Sequence, residues 1–327
     1  MGFNEKRYES MQYRRCGKSG LTLPVISLGG WQAIGSYRDD STSKAIFFAA
    51  FDQGITHFDF ANNYGRPGGA SEELFGRILK EMPRNELVIS SKAGYRMWPG
   101  PYGDGGGRKY IIESCNDSLR RLGLDHVDIF YSHRFDANVE MEETLRALED
   151  IVRQGKAIYV GVSNYYAENF QKAIDIMRRH DWHPITINQP YYNMLGRKAE
   201  ETILPIAETE GVGVIAFCPL AQGLLAGRYL DGIPKDSRAG VEDMGGWLRS
   251  TLDEASISKA RKLNEIAKRR GESLAQMTLA WTLRDHRVTS LLIGASRVEQ
   301  ILENVKCLKS AAFGEVEIRE IEEVLKG

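Results

Sequence analysis

Four side chains in the first half of the chain are of the kinds that move protons: Asp59, Tyr64, Lys92 and His133. Asp59 lies in the apolar run THFDFA (56–61), and Tyr64 follows it in NNYG. Lys92 closes LVISSK (87–92), and His133 directly follows VDIFYS (127–132). Each has an ordinary structural reading when taken alone: a turn carboxylate, a packing tyrosine, a structural histidine. Placed at the ends of three successive apolar runs, they read as one site. A buried Lys92 needs a counter-ion, and Asp59 is the carboxylate of the neighbouring run. An ammonium beside a phenol favours the phenolate, so Lys92 is expected to lower the pKa of Tyr64 and make it a general acid near neutral pH. His133 is expected to hold a carbonyl oxygen by a hydrogen bond.

The convergence depends on what positions these ends. Eight apolar runs read as strands: VISLG (25–29), THFDFA, LVISSK, VDIFYS, AIYVGVSN (157–164), ITINQP (185–190), VGVIAFCP (212–219) and SLLIGA (290–295). Most lack polar alternation, as strands buried on both faces of a parallel sheet do. Helical patterns lie between them at 41–53, 71–81, 109–122, 141–154, 168–179, 198–209, 257–270, 273–284 and 297–308. Ser41 is the expected cap of the first, and Gly54 its stop. Strands each followed by a helix predict an α/β fold, a (β/α)8 TIM barrel forming a single domain over 1–327, with a doubly wound sheet as the rival. Residues 11–24 read as an N-terminal β-hairpin turning at 17–20.

Two long irregular segments, 93–108 and 221–247, follow the third and seventh strands, on the C-terminal face where barrel sites lie. GDGGGR (103–108) lacks both phosphate-loop patterns and reads as a rim loop. Trp31, Tyr64, Trp98 and Tyr102 are candidate walls of a substrate pocket. Arg134 either meets a substrate phosphate or pairs with Asp136.

Composition narrows the function. The 327 residues carry 43 Lys plus Arg against 44 Asp plus Glu, a net charge of −1. That gives no electrostatic footprint for nucleic acid or an acidic membrane. No run of about 18 apolar residues predicts a membrane span, and the charged N-terminus lacks a secretory apolar segment. The four cysteines are scattered, with no metal-ligand spacing, which suits a reducing, cytoplasmic setting and no metal.

The segments FDFANNYG, ISSKAGY, VDIFYSHR, VGVSNY, INQPYYNML, AFCPLAQGLLAGRYLDGIPKDSR and LLIGASRVEQILEN together resemble the aldo-keto reductase superfamily over about residues 11–308. YRMWPGPYGDGGGRKY and SHRFD are most similar to its bacterial L-glyceraldehyde 3-phosphate reductase branch, itself related to voltage-gated potassium channel β subunits. The resemblance implies a catalytic tetrad of Asp59, Tyr64, Lys92 and His133, and NADP(H) bound without a dinucleotide fold. It implies that Ser163, Asn164 and Gln189 hold the nicotinamide carboxamide and that Phe217 lies under the ring. Gly30, Trp31 and Asp59 fall on the cofactor side, and Pro219, Leu220, Gln222, Gly223 and Leu224 on the pyrophosphate stretch. Arg228 and Arg238 would clamp phosphates. Gly294 precedes the last helix, where Ser296, Arg297 and Gln300 take the ribose 2′-phosphate and Glu303 and Asn304 the adenine. Spacings of 4, 7 and 8 from Ser296 put Gln300, Glu303 and Asn304 on one helix face.

The expected activity is NADPH-dependent reduction of small aldehydes, with L-glyceraldehyde 3-phosphate to glycerol 3-phosphate as the best substrate and methylglyoxal among the others. Two rivals stand beside it. One is a cofactor-sensing regulatory protein like the channel β subunits, against which His133 and the short stretch before the first strand speak. The other is a cofactor-free lyase or isomerase of sugar phosphates. Assembly stays open between a single chain and a homo-oligomer, tetramer or octamer.

Overall fold

The apolar runs form eight parallel strands that close on themselves. They are β3 (Ile26–Gly29), β4 (His57–Asp59), β5 (Val88–Ala93), β6 (Val127–Ser132), β7 (Ala157–Ser163), β8 (Ile185–Gln189), β9 (Gly213–Phe217) and β10 (Ser290–Ile293). Their order round the barrel is β10-β3-β4-β5-β6-β7-β8-β9. Ahead of them, β1 (Tyr13–Arg15) and β2 (Thr22–Pro24) pair antiparallel, with Tyr13 opposite Pro24. The structure, a computed structural model, describes residues 2–31, 33–235, 237–240, 248 and 252–327. Residues 236 and 241–247 of the expected 221–247 loop therefore lie outside the described residues.

Helices cover the outside. They are α1 (Asp40–Asp52), α2 (Ala70–Leu79), α3 (Arg108–Leu122), α4 (Met141–Arg153), α5 (Ala167–Arg179), α6 (Lys198–Thr202), α7 (Leu204–Glu210), α8 (Glu254–Arg269), α9 (Leu274–Leu283), α10 (Val298–Asn304) and α11 (Glu315–Lys326). Three differ from the sequence reading. Asp39, not Ser41, caps α1: its carboxylate accepts the Thr42 N–H at 2.7 Å, and Ser41 bonds to the same carboxylate from inside the helix. The pattern at 198–209 is two helices, because Pro205 opens α7 and has no N–H to continue α6. Finally, α11 has no counterpart among the helical patterns of the sequence. It buries Ile321, and Arg197 and Arg270 pair with its Glu322 and Glu317 at 2.6 and 2.5 Å. Among the described residues no helix is long and apolar enough to cross a membrane.

Strand alternation divides the buried residues into two sets. Outward positions such as Ile26, Phe58, Ile89, Phe130, Val160, Val214 and Leu291 join the helices in the larger core. Inward positions Ile129, Tyr131, Ile187, Ile215 and Leu292 fill the barrel together with Cys16, Leu21 and Leu23. Those last three belong to the hairpin, which plugs the end opposite the strand C-termini. Gly161 permits this filling: a Cβ there would stand 2.4 Å from the Tyr131 ring.

Candidate active site

The ends of β4, β5 and β6 bring the four proton-moving residues together. Parallel pairing sets Asp59 beside Ser90 and Lys92 beside Tyr131. The chain after β4 is tied to β5, with Phe60 N–H donating to Ser90 O and Asn62 N–H to Lys92 O, both at 2.9 Å. Tyr64 is then fixed by its own carbonyl, which accepts from Gly69 N–H at 3.0 Å and Ser71 N–H at 3.2 Å. His133 N–H donates to Ala93 O at 2.9 Å.

Lys92 and Asp59 are both fully buried and form an ion pair at 2.5 Å. Lys92 Nζ also donates to Phe60 O at 2.6 Å and lies 5.1 Å from the Tyr64 ring centre. Burial lowers the Lys92 pKa, and the attraction of Asp59 opposes that. The expectation that Lys92 lowers the Tyr64 pKa is overturned. Burial, then the Asp59 carboxylate, hold the phenol well above its ordinary 10. In the resting site burial and the Asp59 carboxylate outweigh the pull of the Lys92 ammonium on the phenol. Tyr64 therefore keeps its proton across the working pH range. His133 is driven the other way: burial, then Lys92 and Arg134, push it well below 6.5. Its ring is neutral, and its buried Nδ1 has no hydrogen-bond partner among the described residues.

Tyr64 and His133 open onto a cleft of about 1350 Å³ on the C-terminal face. That exceeds the roughly 300–1,000 Å³ of a typical single-ligand pocket. Asp59 and Lys92 lie beneath its wall. Ser163, Asn164 and Gln189 line it from β7 and β8, Phe217 to Leu220 from β9, and Gly294 to Arg297 from β10. Asn164, Cys218, Ala221 and Gln222 carry positive φ of 56°, 53°, 44° and 56° on this rim. Such backbone strain collects at functional sites.

The profile of the Aldo/keto reductase family matches residues 25–326. The chain belongs to the aldo/keto reductase family. It is an oxidoreductase of that family, whose members reduce aldehydes with NAD(P)H. Among its relatives are the L-glyceraldehyde 3-phosphate reductases of Escherichia coli K12 and O157:H7. They are 53% and 52% identical over 98% of this chain and 94% of their own length. A probable voltage-gated potassium channel subunit beta of Arabidopsis thaliana is 37% identical over 91% of each chain.

The donor set of this aldo/keto reductase fits such a cofactor. Asn164 donates its amide hydrogens to His133 O and Ser163 Oγ, both at 3.1 Å, which leaves its Oδ1 to accept from an amide. Gln189 Nε2 donates to Asp59 Oδ1 at 3.3 Å, so this donor already has a partner at the floor. At α10, Gln300 Oε1 accepts the Ser296 N–H at 2.8 Å, and Glu303 Oε1 accepts from Gln276 at 2.8 Å. Gln300, Glu303 and Asn304 line the cleft together, as the helix spacing predicts, along with Arg228 and Arg297.

Other expected residues stand elsewhere. Trp98 and Tyr102 are exposed and off the cleft, and Trp98 meets Tyr110 edge-on instead. Arg134 also lies off the cleft lining. It pairs with Asp104 at 3.0 Å, not Asp136, whose carboxylate is taken by the Gly106 and Asn138 N–H groups. Leu224 is core, and Gly30 is enclosed by Phe60 while its neighbour Gly29 lines the cleft. The Arg238 side chain lies outside the described part of the structure. Sequence reasoning missed Tyr37, Arg38, Asn63, Tyr95, Tyr166, Tyr191 and Glu299, all on the cleft wall. Most follow the C-terminal end of a strand, a signal that could have found them. The buried Arg38 Nε has no hydrogen-bond partner among the described residues, and its guanidinium rests 5.1 Å over the Tyr37 ring.

Proposed function

We propose that the protein reduces short phosphorylated aldehydes with NADPH, L-glyceraldehyde 3-phosphate to glycerol 3-phosphate foremost, and methylglyoxal more weakly. The carrying observation is a protonated, half-buried Tyr64 beside a neutral His133 at the wall of a cleft sized for a cofactor and a small substrate. The 53% identity to a reductase of that name supports the substrate.

The bound nicotinamide supplies a hydride to the carbonyl carbon. The chain's residues do the rest. Tyr64 holds its proton until a carbonyl oxygen sits against it, then donates it as negative charge develops on that oxygen. The neutral His133 orients the same oxygen by a hydrogen bond. Lys92, anchored by Asp59, stabilises the phenolate left on Tyr64. Ser163, Asn164 and Gln189 orient the carboxamide, Phe217 supports the ring, and Arg228, Ser296 and Arg297 face the phosphates. Arg38 lines the same cleft, shares its loop with Trp31 and Tyr37, and takes the substrate phosphate.

The test is kcat/KM for L-glyceraldehyde 3-phosphate and for unphosphorylated glyceraldehyde, in the native enzyme and Arg38→Gln. The reading expects a preference for the phosphate ester that shrinks about tenfold or more in the variant. Tight NADPH binding with no turnover of any aldehyde would instead favour a regulatory role like that of the channel subunits. No preference for the ester in the native enzyme would move the substrate to other aldehydes.

A further inference from the structure

The barrel interior is apolar on one side and polar on the other. Ile129, Tyr131, Ile187, Ile215 and Leu292 make the apolar side. On the other side Ser27, Ser290, His57, Ser90, Asp59 and Lys92 are all fully buried. Polar groups in a sealed interior must be satisfied by one another. Here they form an unbroken chain. Ser290 Oγ meets Ser27 Oγ at 2.7 Å, and Ser27 Oγ meets His57 Nδ1 at 2.9 Å. His57 Nε2 meets Ser90 Oγ at 3.0 Å, and Ser90 Oγ meets Asp59 Oδ1 at 2.6 Å.

Heavy-atom positions alone leave the direction of three of these bonds open, but the carboxylate closes the question. Asp59 is paired with Lys92 and can only accept, so Ser90 gives it its single hydroxyl proton. The Ser90 oxygen then presents lone pairs to His57, so His57 Nε2 must carry a proton. A neutral imidazole has no second proton, so Nδ1 accepts from Ser27, and Ser27 in turn accepts from Ser290. Every proton in the chain points toward Asp59.

We propose that His57, acting through Ser90, is a positioning residue for the reductase. The one-way chain Ser290→Ser27→His57→Ser90→Asp59 locks the Asp59 carboxylate plane and so fixes the Lys92 ammonium beside Tyr64. Asp59 touches the chain through Oδ1 and Lys92 through Oδ2, so turning one oxygen moves the other. Ser90 donates to Oδ1 more strongly when its own oxygen accepts a proton from behind, and His57 Nε2–H is the donor in reach; Gln189 Nε2 meets the same Oδ1 at a longer 3.3 Å. The role rests on the reductase reading, and one arm of the test is independent of it.

That arm is 15N NMR of histidine-labelled enzyme, with the His57 signal identified by its loss in His57→Gln. The expected result is a neutral ring protonated on Nε2 at neutral pH. A ring protonated on Nδ1 overturns the proposal, whatever the enzyme reduces. The second arm compares His57→Gln, which keeps a donor near Nε2, with His57→Leu, which keeps bulk alone, and with Ser90→Ala. His57→Leu and Ser90→Ala are expected to lower kcat about tenfold or more with KM within about twofold, while His57→Gln retains more of kcat than His57→Leu. Equal losses in folded Gln and Leu variants would reduce His57 to packing and overturn the positioning role. Should Leu fail to fold, Ser90→Ala and the NMR signal still decide. If the native enzyme reduces no aldehyde while the Nε2 tautomer is seen, the chain stands and the reductase reading fails.

Discussion

The rings of Tyr64 and His133 meet edge to face, with centroids 5.8 Å apart, and both are held in their uncharged forms. An acid that keeps its proton and an imidazole that cannot charge are suited to delivering a proton to an oxygen held between them.

Replacing Tyr64 by Phe removes that proton and little else. General acid catalysis contributes roughly 10²–10⁴-fold, so kcat should fall by that range. Cofactor affinity, measured by quenching of protein fluorescence, should hold within about twofold. Full activity in Tyr64→Phe would sink the mechanism.

The buried ion pair makes a stability prediction. Lys92→Met leaves the Asp59 carboxylate unpaired in a sealed interior, a loss of about 3–5 kcal/mol in urea unfolding. Adding Asp59→Asn removes the orphaned charge and should restore much of that loss. Additive losses in the double variant would show that the two do not act as a pair.

His57 ties stability to pH. Burial lowers its pKa to about 4 from an unfolded value near 6.5. The unfolded chain therefore takes up a proton between those values while the folded chain does not. The stability contribution is full above pH 6.5 and is lost as pH falls toward 4, by up to roughly 3 kcal/mol. His133 adds a slope of the same sign. The urea midpoint should drop through this window in the native enzyme and drop less in His57→Gln. An unchanged slope in that variant would contradict the assignment.

Arg297 should separate the two nicotinamide cofactors. It lines the cleft beside Ser296 at the start of α10, where the 2′-phosphate is proposed to lie. A hydrogen bond to a charged group is worth about 1.5–3 kcal/mol, so Arg297→Ala should weaken NADPH binding about tenfold or more. NADH binding should change by less than about threefold. Isothermal titration of both cofactors checks this, and equal weakening would place the phosphate elsewhere.

Much of this molecule can be read from its sequence, and the exceptions have physical causes. The eight strands are legible because parallel barrel strands are apolar on both faces, and barrel closure then places Asp59, Tyr64, Lys92 and His133 at one rim. The C-terminal helix is not legible as part of the fold. Its main ties, Arg197 to Glu322 and Arg270 to Glu317, span 125 and 47 residues, and no local pattern announces them. Arg134 misleads because its partner is 30 residues away in a glycine-rich loop, while Asp136 is nearer in sequence. The Tyr64 pKa misleads for a related reason. One cation beside a phenol lowers its pKa, but burial and the carboxylate paired with that cation outweigh it here. The polar chain behind Asp59 looks like ordinary strand residues, because Ser27, His57, Ser90 and Ser290 come from four different strands.

The hairpin that plugs the barrel makes it a cup with one mouth. Cys16, Leu21 and Leu23 pack at the far end against the inward-facing side chains, and among the described residues the cleft opens at the strand C-termini. On the proposed reading, cofactor and substrate share that mouth, so the one bound deeper leaves after the other. Slowing or speeding release of the outer one would then change turnover without touching the chemistry below it.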